Sequence, residues 1–215
     1  MSTGVDVILL AGGRGSRMGG RDKATVTVHG RRLIDHCLAT IDAYLPSARV
    51  CLVTTRAVQL PAGVVQARET PPFSGPVAAI AAGVTRLAAD HPPHPTTLVL
   101  AVDAPHSARL YPQLAAALAE NTQDEGDDGR EVGVDKPAPR PGIDLTLVRS
   151  SDGHRQPLCA LWRTESLTRA VAELSECAGA AVSALLSNQR IGEIPGDGSE
   201  RDYDTLAALE DFPSD

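Results

Sequence analysis

The chain has 215 residues, enough for one large α/β domain spanning 1–215 and too many to need disulfide or metal staples to build a core. Its formal charge of −7, from 20 Lys+Arg against 27 Asp+Glu, excludes a nucleic-acid binder, whose phosphate-facing surface is basic. Apolar residues make up 42% but aromatics only 3%, so the core must be aliphatic, and no apolar run approaches membrane-spanning length.

Val5–Leu10 is a short apolar run stopped by Ala11-Gly12-Gly13, the pattern of a buried parallel strand. A loop rich in Gly and Arg follows, then a β-prone piece at Thr25–His29 closed by Gly30. Leu33, Ile34, Cys37, Leu38, Ile41 and Leu45 recur at helical spacing, which predicts a helix over 33–45. Val50–Thr54 reads as a second strand and Val64-Val65 as a shorter third.

Pro76, at the end of a Pro/Gly loop, suits the first position of a helix, where its missing N–H has no partner to lose. The Ala-rich stretch 77–89 continues that helix, with small residues suited to lying close on a sheet. Thr97–Val102 is the strongest central strand. Asp103-Ala104-Pro105 ends it, and Ser107 is placed to cap a helix running to about Ala119.

Residues 121–142 are dense in Asp, Glu, Gly and Pro and predict a solvated insertion. Leu145–Val148 and Leu158–Trp162 flank Asp152-Gly153 and predict a β-hairpin. Helices are expected at 165–176 and 180–188, a last strand at Ile191–Ile194 and a terminal helix at Thr205–Asp211. Strands alternating with helices imply a three-layer α/β/α sandwich with a mostly parallel sheet and a small β-hairpin insertion. Cys37, Cys51, Cys159 and Cys177 are widely spaced with no CxxC pair, which suits free thiols in a reducing, cytoplasmic setting.

The segment from Leu10 to Lys23 carries the chemistry. In open α/β sheets ligands bind beyond the carboxyl ends of the strands, where this loop leaves the first strand. Glycines let backbone N–H groups approach phosphate oxygens, and Arg14, Arg17 and Lys23 supply positive charge for a triphosphate. A dinucleotide fingerprint fails because Met18 stands where its third glycine belongs. A Walker loop fails because Arg21 replaces its lysine.

The run Leu10-Ala11-Gly12-Gly13, Arg17-Met18-Gly19-Gly20 and Asp22-Lys23 resembles the LAGG-xxx-RMGG-x-DK signature of the molybdenum cofactor guanylyltransferases, which share a Rossmann-like nucleotidyltransferase fold. Gly75-Pro76-Val77-Ala78 is similar to the family's GPLAG segment, with Ala79 where a glycine is usual. Val102-Asp103-Ala104-Pro105 and Asp202-Tyr203-Asp204-Thr205 resemble its C-D-x-P and closing [ND]-x-[ND]-T segments.

The resemblance implies GMP transfer from GTP to molybdopterin with release of pyrophosphate. It also implies Mg2+ on Asp103, and nucleotide contacts from Leu10, Ala11, Gly12, Gly13, Gly15, Lys23, Glu69, Gly75 and Asp103. Lys23, Arg17 and Asp103 are the expected catalytic groups, and Gln156, Asp202 and Asp204 the expected acceptor contacts. A family asparagine falls on Val53, so that contact is expected to be lost or moved.

Alternatives stay open. Asp202 and Asp204 either shape the acceptor pocket or cap the terminal helix, and His154 is an acceptor contact or a bystander. Cytidylyl or guanylyl transfer to another phosphorylated acceptor is the neighbouring reading, and a non-catalytic nucleotide-binding protein of the same fold is the distant one. Protein partners that deliver or collect the cofactor are left open.

Overall fold

The computed structural model describes residues 4–12, 23–120 and 142–213. Gly13, Gly15 and Arg17, together with all but the last residue of the 121–142 insertion, lie outside the described residues. Seven strands form one sheet in the order β5-β4-β1-β6-β8-β7-β9. They are β1 (Val5–Leu10), β4 (Arg49–Val53), β5 (Val64–Ala67), β6 (Thr96–Ala101), β7 (Leu145–Arg149), β8 (Arg155–Arg163) and β9 (Ile191–Pro195). All pairings are parallel except those of β8, which is antiparallel to both β6 and β7. The mostly parallel sheet is thus as expected, and β8 is the one strand running against it.

Both faces of the sheet are covered. Val5, Val7 and Leu9 of β1 point into a core shared with α1 (Leu33–Tyr44) and α3 (Tyr111–Glu120). Ile8 and Leu10 point the other way, into a core shared with α2 (Pro76–Asp90), α4 (Thr164–Glu173) and α5 (Val182–Leu186). The period-two alternation of one short strand therefore feeds both layers. Helix α2 lies close on the sheet because of Gly83, where an added Cβ would come within 2.7 Å of the Ile8 side chain.

A separate two-stranded antiparallel pair, β2 (Thr27–Val28) and β3 (Arg31–Arg32), turns through His29 and Gly30, both at positive φ. The hairpin predicted from Leu145–Val148 and Leu158–Trp162 is present, with strands extended to Leu145–Arg149 and Arg155–Arg163, and is built into the main sheet rather than standing apart. Its register jumps between Leu147 and Val148, opposite Pro157, which has no N–H to give a ladder.

Two expectations need correction, and one open alternative is decided. Ser107 does not cap a long helix. It starts a 3-10 turn, Ser107–Leu110, its hydroxyl donates back to the Ala104 carbonyl at 2.6 Å, and α3 begins only at Tyr111. The helices expected at 165–176 and 180–188 shorten to α4 and α5, since Leu174 is extended and Gly179 adopts a positive φ while its amide bonds the Ser74 carbonyl at 2.7 Å. The terminal helix α6 (Leu206–Glu210) is capped by Thr205, whose hydroxyl accepts from the Ala208 amide at 3.1 Å, and not by Asp202 or Asp204. Among the described residues no helix is long and apolar enough to cross a membrane.

Candidate active site at the carboxyl edge of the sheet

A cleft of about 280 Å³ lies beyond the carboxyl ends of β1, β5 and β6. Leu10, Gly12, Lys23, Glu69, Gly75 and Asp103, six of the expected nucleotide contacts, line it. Ala11 lies just behind, buried, with its amide donating to the Val53 carbonyl at 2.9 Å and so extending the β1–β4 ladder into the loop. Val53 is itself buried and brings no polar side chain to the position of the family asparagine, while Ala79 lines the cleft.

Lys23 and Asp103, eighty residues apart in sequence, form a direct ion pair between ammonium and carboxylate. Lys23 stands on a short 3-10 turn, Lys23–Thr25, and Asp103 two residues past β6. Both side chains keep about a fifth of their surface exposed, so the pair faces the cleft and is open to exchange with a charged ligand.

Asp103 is held from behind by the C-terminal segment, where the Tyr203 amide donates to the Asp103 carbonyl at 2.7 Å. That bond brings Asp202 alongside. Its carboxyl is pushed up to about 6, first by desolvation, then by the negative charge of Asp103, with Lys23 opposing and Asp204 adding to the rise. Asp202 nevertheless keeps an exposed surface. A carboxyl raised by burial and by a neighbouring carboxylate is a common signature of sites that receive a cation or proton.

Glu69, two residues past β5, is 5% exposed. One carboxylate oxygen accepts from the Phe73 amide at 2.9 Å, while the other is buried with no hydrogen-bond partner among the described residues. Desolvation raises its pKa, and the amides of Phe73 and Ser74 oppose that rise. Glu69 Oε1 also lies 3.7 Å from where a Cβ on Gly12 would sit, so the two nucleotide candidates meet across the cleft floor.

Gln156, Asp202 and Asp204 do not line this cleft. Gln156 lies on β8 and donates to the Ser150 hydroxyl at 3.2 Å, two residues before Leu158, which does line it. His154 is exposed at the tip of the β7–β8 hairpin. Phe73, Pro76, Ala101 and Leu158 also line the cleft, beyond the nucleotide contacts expected from the sequence. For Phe73 there was a signal: one of only two phenylalanines in the chain, set in a Pro/Gly loop where no core would bury it.

Mg2+ prefers one or two carboxylates, retained waters and substrate phosphates to a closed protein cage. Asp103, with Asp202 beside it, fits that donor set, and no cluster of three or more His, Cys, Asp or Glu competes among the described residues.

Residues 7–191 match the model of the MobA-like NTP transferase domain. The chain belongs to that family. It is therefore a nucleotidyltransferase, and its cleft lies within the matched span. A molybdenum cofactor guanylyltransferase from Cupriavidus necator is 28% identical over 190 residues, covering 87% of this chain and 84% of that protein. Among solved structures, the molybdopterin-guanine dinucleotide biosynthesis protein A of Archaeoglobus fulgidus aligns over 96% of this chain and 95% of its own, with TM-score 0.59 and 17% identity. The 4-diphosphocytidyl-2C-methyl-D-erythritol synthase of Anaerococcus prevotii aligns over 96% and 94%, with TM-score 0.60 and 12% identity. At such identities the two structures speak for the MobA-like fold and not for the substrate.

Proposed function

We propose that this MobA-like transferase moves GMP from GTP onto the terminal phosphate of molybdopterin and releases pyrophosphate. The observation that carries the reading is the Lys23–Asp103 pair, which sets a cation and a carboxylate on a cleft that Gly12 and Lys23 both line. The naming of the Cupriavidus necator relative supports the choice of donor and acceptor.

In this reading an acceptor phosphate oxygen attacks the α-phosphorus of GTP in line. The bond from that phosphorus to the β-bridging oxygen breaks, and pyrophosphate leaves carrying the charge. Catalysis is then mainly positioning and charge stabilisation. Lys23, and Arg17 from the loop outside the described residues, hold the β- and γ-phosphates. Asp103, with Asp202 as its neighbour, would hold Mg2+, which would supply neutralisation of the triphosphate charge. No general base is needed, because the acceptor phosphate is already ionised. Gln156, Asp202 and Asp204 lie towards the acceptor side. The setting is the cytoplasm, where the buried Cys37, Cys51 and Cys159 persist as thiols.

The test is to incubate the full chain with molybdopterin and Mg2+ and with GTP, CTP or ATP in turn, following pyrophosphate and the product mass. Release from GTP with a product of guanine dinucleotide mass is expected. Release from CTP and not from GTP would reverse the choice of donor, and binding of GTP without release would reduce the chain to a nucleotide-binding protein.

A further inference from the structure

Phe73 is 49% exposed, in a chain whose other phenylalanine, Phe212, is 4% exposed and packed against His36, His106 and Tyr203. The Phe73 ring lines the cleft and leaves there an apolar π-face that a flat ligand can cover. Phe73 also occupies the left-handed backbone region, at φ 62°, which costs a bulky non-glycine residue of order 1–3 kcal/mol unless the surroundings hold it there. They do hold it. The Phe73 amide is bonded to the buried Glu69 carboxylate at 2.9 Å, the Ser74 hydroxyl donates to the Pro71 carbonyl at 2.5 Å, and the Gly179 amide donates to the Ser74 carbonyl at 2.7 Å. The loop is thus fixed from three sides, and its ring is set on the wall of the cleft.

The cleft has two chemically different ends. Asp103 follows β6 and pairs with Lys23, whereas Glu69 and Phe73 follow β5 at the sheet's edge. The order β5-β4-β1-β6 separates those ends by three strand spacings, roughly 14 Å at ~4.8 Å each. A nucleotide with its phosphates at the charged end and extended along the sheet edge places its base at the β5 end. There Phe73, Pro76 and Ala79 offer apolar surface.

We propose that Phe73 is a stacking platform for the purine base of the bound nucleoside triphosphate, and so a determinant of GTP affinity. The inference rests on the guanylyl reading above, and it concerns the donor, not the acceptor. Phe73 is here a binding residue; the chemistry at the α-phosphorus is untouched by it.

The experiment measures GTP binding to the full chain in Mg2+ by calorimetry, with inorganic tripolyphosphate as a ligand that has no base. Phe73→Ala should raise the Kd for GTP about tenfold, within the range found for loss of a base–aromatic stack, while leaving tripolyphosphate binding within about twofold. Phe73→Leu, which keeps apolar bulk without a π-face, should weaken GTP binding several-fold, and Phe73→Trp should restore it. Equal loss of both ligands would mean a collapsed loop and would overturn the proposal, as would unchanged GTP binding by Phe73→Ala or a rise confined to the KM for molybdopterin. If the wild type binds tripolyphosphate but not GTP, the guanylyl reading falls with it. GTP binding by the wild type that Phe73→Ala leaves unaltered sinks the stacking alone.

Discussion

Carboxylates stand at both edges of the sheet, and they are treated in opposite ways. At the amino edge Asp6, 1% exposed, accepts from Arg49 Nε and Nη2 at 2.8 Å each, from the His94 amide at 3.0 Å and is bonded to His94 Nδ1 at 2.9 Å. Asp144 on the same edge accepts from the Ser166 hydroxyl and from the amide, Nε and Nη2 of Arg190, all at 2.9–3.0 Å. At the carboxyl edge Asp103 has Lys23, Asp202 is crowded by like charge, and one Glu69 oxygen has no partner among the described residues. Saturated carboxylates lock the strands' beginnings together. Unsaturated ones, beyond the strands' ends, keep bonding capacity for something that arrives from solution.

The comparison predicts that loss of an acid at the carboxyl edge removes activity and spares the fold. Asp103→Ala should lower kcat for pyrophosphate release by roughly 10³-fold, the scale of losing a preorganised electrostatic group at the reacting phosphate. Its Tm should stay within a few degrees of wild type, because the pair it breaks faces the cleft and is partly solvated. Turnover within tenfold of wild type would remove Asp103 from the chemistry.

That edge was legible in the sequence wherever a residue's role follows from the strand it ends. Leu10, Gly12 and Asp103 could be placed because Val5–Leu10 and Thr97–Val102 read as buried parallel strands, and ligands gather beyond such ends. Glu69 reaches the cleft for the same reason, since β5 ends two residues before it. The amino edge could not be read at all. Asp6 lies inside the apolar run Val5–Leu10, whose pattern says nothing of its role as the anchor for Arg49 and His94, brought together only by parallel pairing and a loop contact. The sequence leaves a cap role open for Asp202 and Asp204 because Asp and Thr are both good caps, and only the main-chain path, tied at Tyr203 to Asp103, decides for Thr205.

A change at the amino edge should do the reverse of Asp103→Ala. Burial pushes the Asp144 carboxyl up, but the Arg190 and Ser166 hydrogen bonds outweigh it and hold the group below the usual carboxylate range. Breaking a buried pair costs several kcal/mol. Here Arg190 is 41% exposed and regains solvent, so Asp144→Asn should cost about 2 kcal/mol, a fall of roughly 4–8 °C in Tm, with kcat of the folded enzyme nearly unchanged. A lowered folded-state pKa means stability that is present above the unfolded value of about 3.9 and lost as pH falls below it. The gap between wild type and Asp144→Asn in a thermal melt should therefore close on acidification below pH 4. A gap that persists there would mean that packing, and not charge, is what Asp144 supplies.

The smallest effect on stability, with the opposite sign, belongs to Asp202. Its folded pKa of about 6 lies above the unfolded carboxylate value, so the folded chain binds a proton that the unfolded chain releases. Stability should accordingly decline as pH rises through the window from about 4 to 6, and Asp202→Asn, which has no charge to suppress, should show no such decline. At pH 7 the variant should be the more stable of the two, but by no more than about 1 kcal/mol, since the exposed surface of Asp202 lets water screen its repulsion from Asp103. The same substitution should act on catalysis in the other direction. If the Asp202 charge is spent on the cation that Asp103 receives, kcat/KM of the wild type should fall below pH 6, and Asp202→Asn should be slower at neutral pH with a flatter acid limb and a higher Mg2+ requirement. A variant that gains stability and loses nothing in its Mg2+ titration would assign Asp202 to the wall of the site, and Asp103 would then hold the metal without it.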